Sequence, residues 1–240
     1  MRIIYSIYVE IPKNKWDVTD RGYLRDNLSK SERSFLSFTK YYKDLIKCKK
    51  RYSEKCNSEY IVFGYDDAYV KFSDKMREIL PTISEYNIIN FYKFDRLEYL
   101  SQKYDEILFL DFDVIPLTDE NYFDVWKDKF SIATSPLINT KMNQYFDIKY
   151  NLDFRSPEAK MINSILLGQE YGLDDNLPAF NTGIMGATSD LIKQLNYFDD
   201  FKNVIEILNE IKEEEILPET WKSGMGWDNE TIFGFRTKQK

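Results

Sequence analysis

An apolar run ending in two aspartates, Glu106-Ile107-Leu108-Phe109-Leu110-Asp111-Phe112-Asp113, constrains the fold of this chain more than any other segment. Four consecutive large apolar residues between acids fit an interior strand buried on both faces, the kind found in sheets covered by helices. Strand side chains alternate faces, so Asp111 and Asp113 are expected to point the same way if strand geometry persists past Leu110. In open α/β sheets, ligands bind just beyond the carboxyl ends of the strands. A pair of carboxylates there suits Mg²⁺ or Mn²⁺ shared with a diphosphate, because oxygen ligands select those ions. The structural alternative is an acidic turn after a core strand.

The rest of the chain supplies the partners such a strand needs. Residues 2–11 read as a first strand, stopped by Pro12. Ser29-Lys30-Ser31-Glu32 matches a capping box, and Phe35, Phe38, Tyr42 and Leu45 then recur at helical spacing. Tyr60 to Gly64 reads as a second strand, with a helix near 74–80 that ends at Pro81. Asn87 to Phe94 is a third strand candidate, followed by a helix over 95–104. A short helix near 119–126 and a strand over 130–134 come after the aspartates. Residues 136–178 are less regular, punctuated by Pro136, Pro157, Gly168, Gly172 and Pro178, as in a lid or binding region. Strand character returns at Ala179 to Ala187. Thr188 or Ser189 is then placed to cap one long helix with Phe201, Val204, Ile205, Leu208 and Ile211 on its inner face. This alternation predicts an α/β fold in one domain over 1–240, with a mixed, mostly parallel central sheet flanked by helices.

Composition narrows the chemistry. The chain has 240 residues, 43% of them hydrophobic, which supports a substantial core. No apolar run reaches the roughly 18 residues a membrane span needs. Met1-Arg2-Ile3-Ile4-Tyr5 enters a strand pattern directly, without a signal peptide's organisation, so a cytoplasmic location is expected. There is no histidine, and the two cysteines, Cys48 and Cys56, sit in a Lys-rich stretch, so zinc binding and histidine-based catalysis are unsupported. A formal charge of −7 argues against a nucleic-acid binder. The 18 Tyr and 17 Phe are expected mostly in the core, although carbohydrate sites also use such rings as platforms.

Three segments in order carry a more specific signal: Asp111-Phe112-Asp113 after its strand, Phe180-Asn181-Thr182-Gly183, and Gly226-Trp227-Asp228-Asn229-Glu230-Thr231. Their order and spacing resemble family 8 glycosyltransferases, a group with the Rossmann-like GT-A fold that includes glycogenin and bacterial lipopolysaccharide galactosyltransferases. The resemblance covers roughly residues 88–235, and Tyr104 to Pro116 with Leu117 to Val125 looks much like the family's central block. It implies a metal-dependent hexosyltransferase that moves a sugar from a nucleoside diphosphate donor, UDP-sugar in the first instance, to a glycan or other hydroxyl acceptor. Residues 1–117 would form the nucleotide-binding half and 118–240 the acceptor side. Asp113 would be the principal ligand of Mn²⁺ or Mg²⁺, and Asp111 would reach both metal and ribose. Tyr5, Arg96, Phe112, Asn181 and Gly183 would join the nucleotide-sugar site. Asp228, Asn229 and Glu230 would carry the catalytic work, with Trp221 and Trp227 stacking on the acceptor. The family's C-terminal His-x-x-Gly-x-x-Lys-Pro-Trp motif, source of a third metal ligand and a diphosphate-binding lysine, has no counterpart in these histidine-free residues. Asn229 also stands where the family has Gln.

The reaction itself is compatible with this residue set. Glycosyl transfer passes through an oxocarbenium-like state while a diphosphate leaves. A divalent ion on the phosphate oxygens neutralises the developing charge, so no protonating acid is needed. In an inverting enzyme a carboxylate, Asp228 or Glu230, deprotonates the acceptor hydroxyl. In a retaining one, Asp228 or the Asn229 amide sits on the opposite face. Each residue also has a structural reading. Asn181 can be turn chemistry, Asp228 and Glu230 can be acids at a helix N-terminus, the tryptophans can be core, and Arg96 can be a surface helix residue. Two other functions remain open. Haloacid-dehalogenase-type phosphatases also place Asp-x-Asp after an apolar strand, with Asp174-Asp175 as a downstream acidic pair, although Ile115 stands at the fifth position and the motif normally lies on the first strand. A GT-A-like domain that binds a sugar nucleotide without turnover is the non-enzymatic reading.

Overall fold

The computed structural model describes residues 1–12, 30–125, 131–133, 166–173, 181–213 and 228–239. Strand β1 (Arg2–Ile7) leads to α1 (Lys30–Lys55), β2 (Glu59–Phe63), α2 (Asp67–Ile79), α3 (Glu85–Ser101) and β3 (Glu106–Leu110). The short α4 (Tyr122–Val125), β4 (Ser131–Ala133), β5 (Asn181–Thr188), α5 (Ser189–Leu195), α6 (Phe201–Glu213) and α7 (Asp228–Lys238) follow. The chain forms two compact units, one of residues 1–131 with 183–192 and the other of 132–182 with 193–240.

The fold is α/β, and its sheet is mixed. Strand order is β2-β1-β3-β5-β4. β1 pairs in parallel with β2 (Tyr5 opposite Ile61) and with β3 (Tyr5 opposite Phe109). β5 runs antiparallel to β3, with Leu110 opposite Ile184. The parallel half therefore matches the expectation from strand–helix alternation, while β5 reverses direction. β1 and β3 both lie inside the sheet with neighbours on either side, which is why Ile3, Ile4, Tyr5, Ile107, Leu108, Phe109 and Leu110 are all buried. On one face Ile4, Leu108 and Leu110 pack with Tyr52 and Cys56 of α1 and Phe123 of α4. Truncating a buried leucine in such a core costs about 2–5 kcal/mol.

Local chemistry sets the element boundaries. α1 ends in a Schellman arrangement: Asn57 sits in the left-handed region (φ 48°), its N–H reaching Glu54 O and that of Ser58 reaching Ser53 O. α2 begins at Asp66, whose side chain accepts from the Tyr69 N–H at 2.9 Å. The Ser84 hydroxyl caps α3 in the same way, accepting from Asn87 N–H. This cap overturns the strand expected at Asn87 to Phe94, which is the first half of one helix continuing to Ser101. Ile88, Phe91, Tyr92, Phe94, Leu97 and Leu100 are all buried. A helix covered on several sides loses the one-faced periodicity that would have marked it.

The single long helix expected after Thr188 is also corrected. Thr188 Oγ1 caps α5 by accepting from Leu191 N–H at 3.4 Å, but the helix stops at Leu195. Asn196 and Asp200, both at φ 46°, carry the turn before α6, and Asn and Asp tolerate that left-handed region. The inner face predicted for the second part is correct: Phe201, Val204, Ile205, Leu208 and Ile211 are buried. α7 contributes Ile232, Phe233 and Phe235 to the core of the second unit. Among the described residues no helix is long and apolar enough to cross a membrane.

Candidate functional site

β3 places the two aspartates at its carboxyl end, beside β1 on one side and β5 on the other. The strand stops at Leu110, and the next residues turn: Val114 N–H donates to Asp111 O at 3.0 Å. This corrects the expectation that both aspartates continue the strand's alternation. Within the turn Asp113 is exposed and Asp111 is half-buried, while Phe112 between them is buried. The Asp111 N–H donates to Gly183 O at 2.7 Å, so β5 holds the start of the turn.

An aromatic group anchors its middle. The Phe112 ring stacks on Tyr8, centroids 4.6 Å apart and planes inclined by 22°. Phe38 and Tyr42 of α1 each lie 5.5 Å from it. Phe112 is thus an anchor of the turn. Beneath it, Lys49 of α1 is fully buried, and its ammonium donates to Phe112 O at 2.7 Å. Burial draws the lysine pKa below its ordinary value, against the opposing effects of Cys48, Asp113 and Asp111. Lys49 was not among the expected site residues. Its signal lies in register rather than composition, since Leu45, Lys49, Tyr52 and Cys56 share one inward face of α1.

Tyr5 lies wholly in the core, its hydroxyl donating to Lys93 O at 2.7 Å. Burial, reinforced by the Asp111 carboxylate, pushes its phenol well above the usual range. Arg96 is paired with Asp95 and sits over the rings of Phe63, Tyr92 and Tyr99 at 5.4, 5.0 and 4.7 Å. Neither presents itself as the turn's carboxylates do.

The second unit gathers another set. Thr182 is buried, and its N–H donates to Glu230 Oε1 at 3.0 Å, with its hydroxyl 3.4 Å from the same oxygen. Asn229 Nδ2 donates to Thr182 Oγ1 at 3.2 Å, and the Asn229 carbonyl accepts from Tyr197 OH at 3.0 Å. Asn229 and Glu230, in the first turn of α7, therefore clamp the beginning of β5. Thr182 was not singled out from sequence, although it lies inside the Phe-Asn-Thr-Gly segment. Asn181 is exposed at the first position of β5, and Gly183 is buried. Asp228 opens α7, while its side chain, Trp221, Trp227 and the Asp174-Asp175 pair lie outside the described residues.

The donor set at the turn fits a hard divalent ion. Asp111 and Asp113 would be the residues to hold it, offering two carboxylates of different exposure, the oxygen donors that Mg²⁺ and Mn²⁺ take. Among the described residues no group of three His, Cys, Asp or Glu side chains is gathered. Comparison with protein-family models, with curated proteins and with solved structures returned no match.

Proposed function

We propose that this chain is a GT-A-like glycosyltransferase that moves a sugar from a nucleoside diphosphate donor, a UDP-sugar, to a hydroxyl acceptor. The observation that supports it most is the Asp111–Val114 turn at the carboxyl end of the central strand β3. That is where open α/β sheets bind ligands. Asp113 offers an exposed carboxylate and Asp111 a second, half-buried one, on a turn that Phe112 packing and the Gly183 carbonyl hold in place. Asp113 binds Mn²⁺ or Mg²⁺, and Asp111 shares that ion and the ribose end of the donor. The ion, when bound, offsets the charge that develops on the departing diphosphate. The family resemblance assigns Asn181, in the Phe-Asn-Thr-Gly segment, to the donor sugar. Within the second unit Asn229 and Glu230 are engaged with Thr182, and the family resemblance assigns to Asp228 the role of the acid acting at the anomeric centre or on the acceptor hydroxyl.

The phosphatase reading has less support, because β3 is the third strand along the chain, not the first. Calorimetric titration of UDP and GDP, each with and without Mn²⁺, tests the proposal. Binding of one nucleotide that disappears with chelator supports it, and no binding of either under any metal condition refutes it. Asp228→Ala is expected to lose turnover far more than donor affinity, measured as donor-sugar transfer against UDP titration. Equal losses would make it a binding residue.

A further inference from the structure

Lys49 is a buried cation to which the donor-site reading gives no task. Its neighbours on the same face of α1 are Leu45, Tyr52 and Cys56, all buried against the first unit's core. A lysine there puts an ammonium where hydrocarbon would pack, at a cost in desolvation. Among the described residues Nζ has one hydrogen-bond acceptor, the carbonyl of Phe112 at 2.7 Å. It also lies 5.3 Å from the centre of the Phe112 ring. The ammonium thus holds both the main chain and the side chain of the residue between the two aspartates. Asp111 and Asp113 are near enough to act on it electrostatically, as is Cys48.

We infer that Lys49 is a positioning residue that sets the charge of this turn, so that Asp111 and Asp113 take a divalent ion together with a diphosphate in preference to the ion alone. The inference rests on the reading of the turn as a donor site. A fixed cation behind two carboxylates offsets part of their charge and weakens their hold on a bare divalent ion. The same cation attracts an anionic diphosphate, so the two affinities move in opposite directions. Its bond to the Phe112 carbonyl also fixes the turn in which Asp113 faces outward.

Lys49→Met removes the charge and retains the length of the side chain, while Lys49→Arg retains the charge. On the full chain, Mn²⁺ alone is titrated and free Mn²⁺ followed by its paramagnetic resonance. UDP, or GDP if that is the nucleotide bound, is then titrated calorimetrically at saturating Mn²⁺. Lys49→Met removes a buried charge but leaves the Phe112 carbonyl without its donor, so it is expected to fold and to melt somewhat lower than the wild type. It should bind Mn²⁺ alone at least as tightly and the nucleotide with Mn²⁺ roughly tenfold more weakly, the scale of one charge a few ångströms away in partly solvated surroundings. Lys49→Arg should recover most of the nucleotide affinity. Should Lys49→Met fail to fold, Lys49→Gln keeps a donor for the Phe112 carbonyl and carries the same test. Two unchanged affinities, or two that fall together, overturn the inference while leaving the donor site standing. A wild-type chain that binds neither nucleotide with Mn²⁺ overturns the donor reading and the role of Lys49 with it.

Discussion

Carboxylates meet opposite fates in the two units. In the first, Asp113 stands exposed on a turn held by other residues: Lys49, Tyr8 and the Gly183 carbonyl. In the second, Glu230 is buried and occupied with Thr182, whose N–H and hydroxyl both point to one of its oxygens. One acid is supported, the other gives support. Removing a supported group costs function and little stability, whereas removing a supporting group costs stability, and costs function as well where the group it supports belongs to the site.

The sharpest way to break this contrast is Asp113→Ala. Metal-dependent nucleotide binding should fall by at least about 100-fold, or roughly 3 kcal/mol, in calorimetric titration. The unfolding free energy should stay within about 0.5 kcal/mol of wild type. A large loss of stability would make Asp113 structural. Glu230→Ala is the mirror experiment: it strands the buried Thr182 N–H and should lower stability by about 2–3 kcal/mol in urea denaturation. Thr182→Val keeps the backbone N–H but deprives Asn229 of its acceptor, for an expected loss of about 1 kcal/mol on the same assay.

The smallest effect concerns Tyr60 of β2, whose buried hydroxyl makes no hydrogen bond of ordinary geometry among the described residues, Ser6 being the hydroxyl that acts on it. Tyr60→Phe should leave stability unchanged or raise it by up to about 1 kcal/mol. Burial pushes this phenol up to about 12. A phenol whose folded pKa is raised contributes stability that is intact below the ordinary tyrosine value of about 10 and is lost as pH rises toward 12. Urea midpoints measured across that window should fall less steeply in Tyr60→Phe than in the wild type.

The strand and its two aspartates were legible in sequence because four apolar residues between acids admit few alternatives. Their relative orientation was not, since it depended on whether the strand continued past Leu110, and the Asp111–Val114 hydrogen bond ends it. The stretch from Asn87 to Phe94 misled for a different reason: burial on several sides removes helical periodicity, and the decisive Ser84 cap is one residue in a polar loop. Lys49 was hidden by composition, as it stands beside Lys47 and Lys50 in a run that reads as solvated surface. Only its register with Leu45 and Tyr52 sets it apart. The clamp on Thr182 joins residues 48 positions apart, a distance at which local pattern carries no information.

The first unit is discontinuous along the chain, since residues 183–192 return to it after the excursion through 132–182. During synthesis from the N-terminus, β3 must therefore wait for β5, and until then it is the outermost strand of the partial sheet. An apolar edge such as Ile107 to Leu110, with its N–H and C=O groups unpaired, is a template for association with other chains. A fragment ending at residue 131 should aggregate on release, while one extended through residue 192 regains the antiparallel neighbour that closes that edge. The nascent chain is thus most exposed to self-association while about fifty residues, 132–182, are being translated.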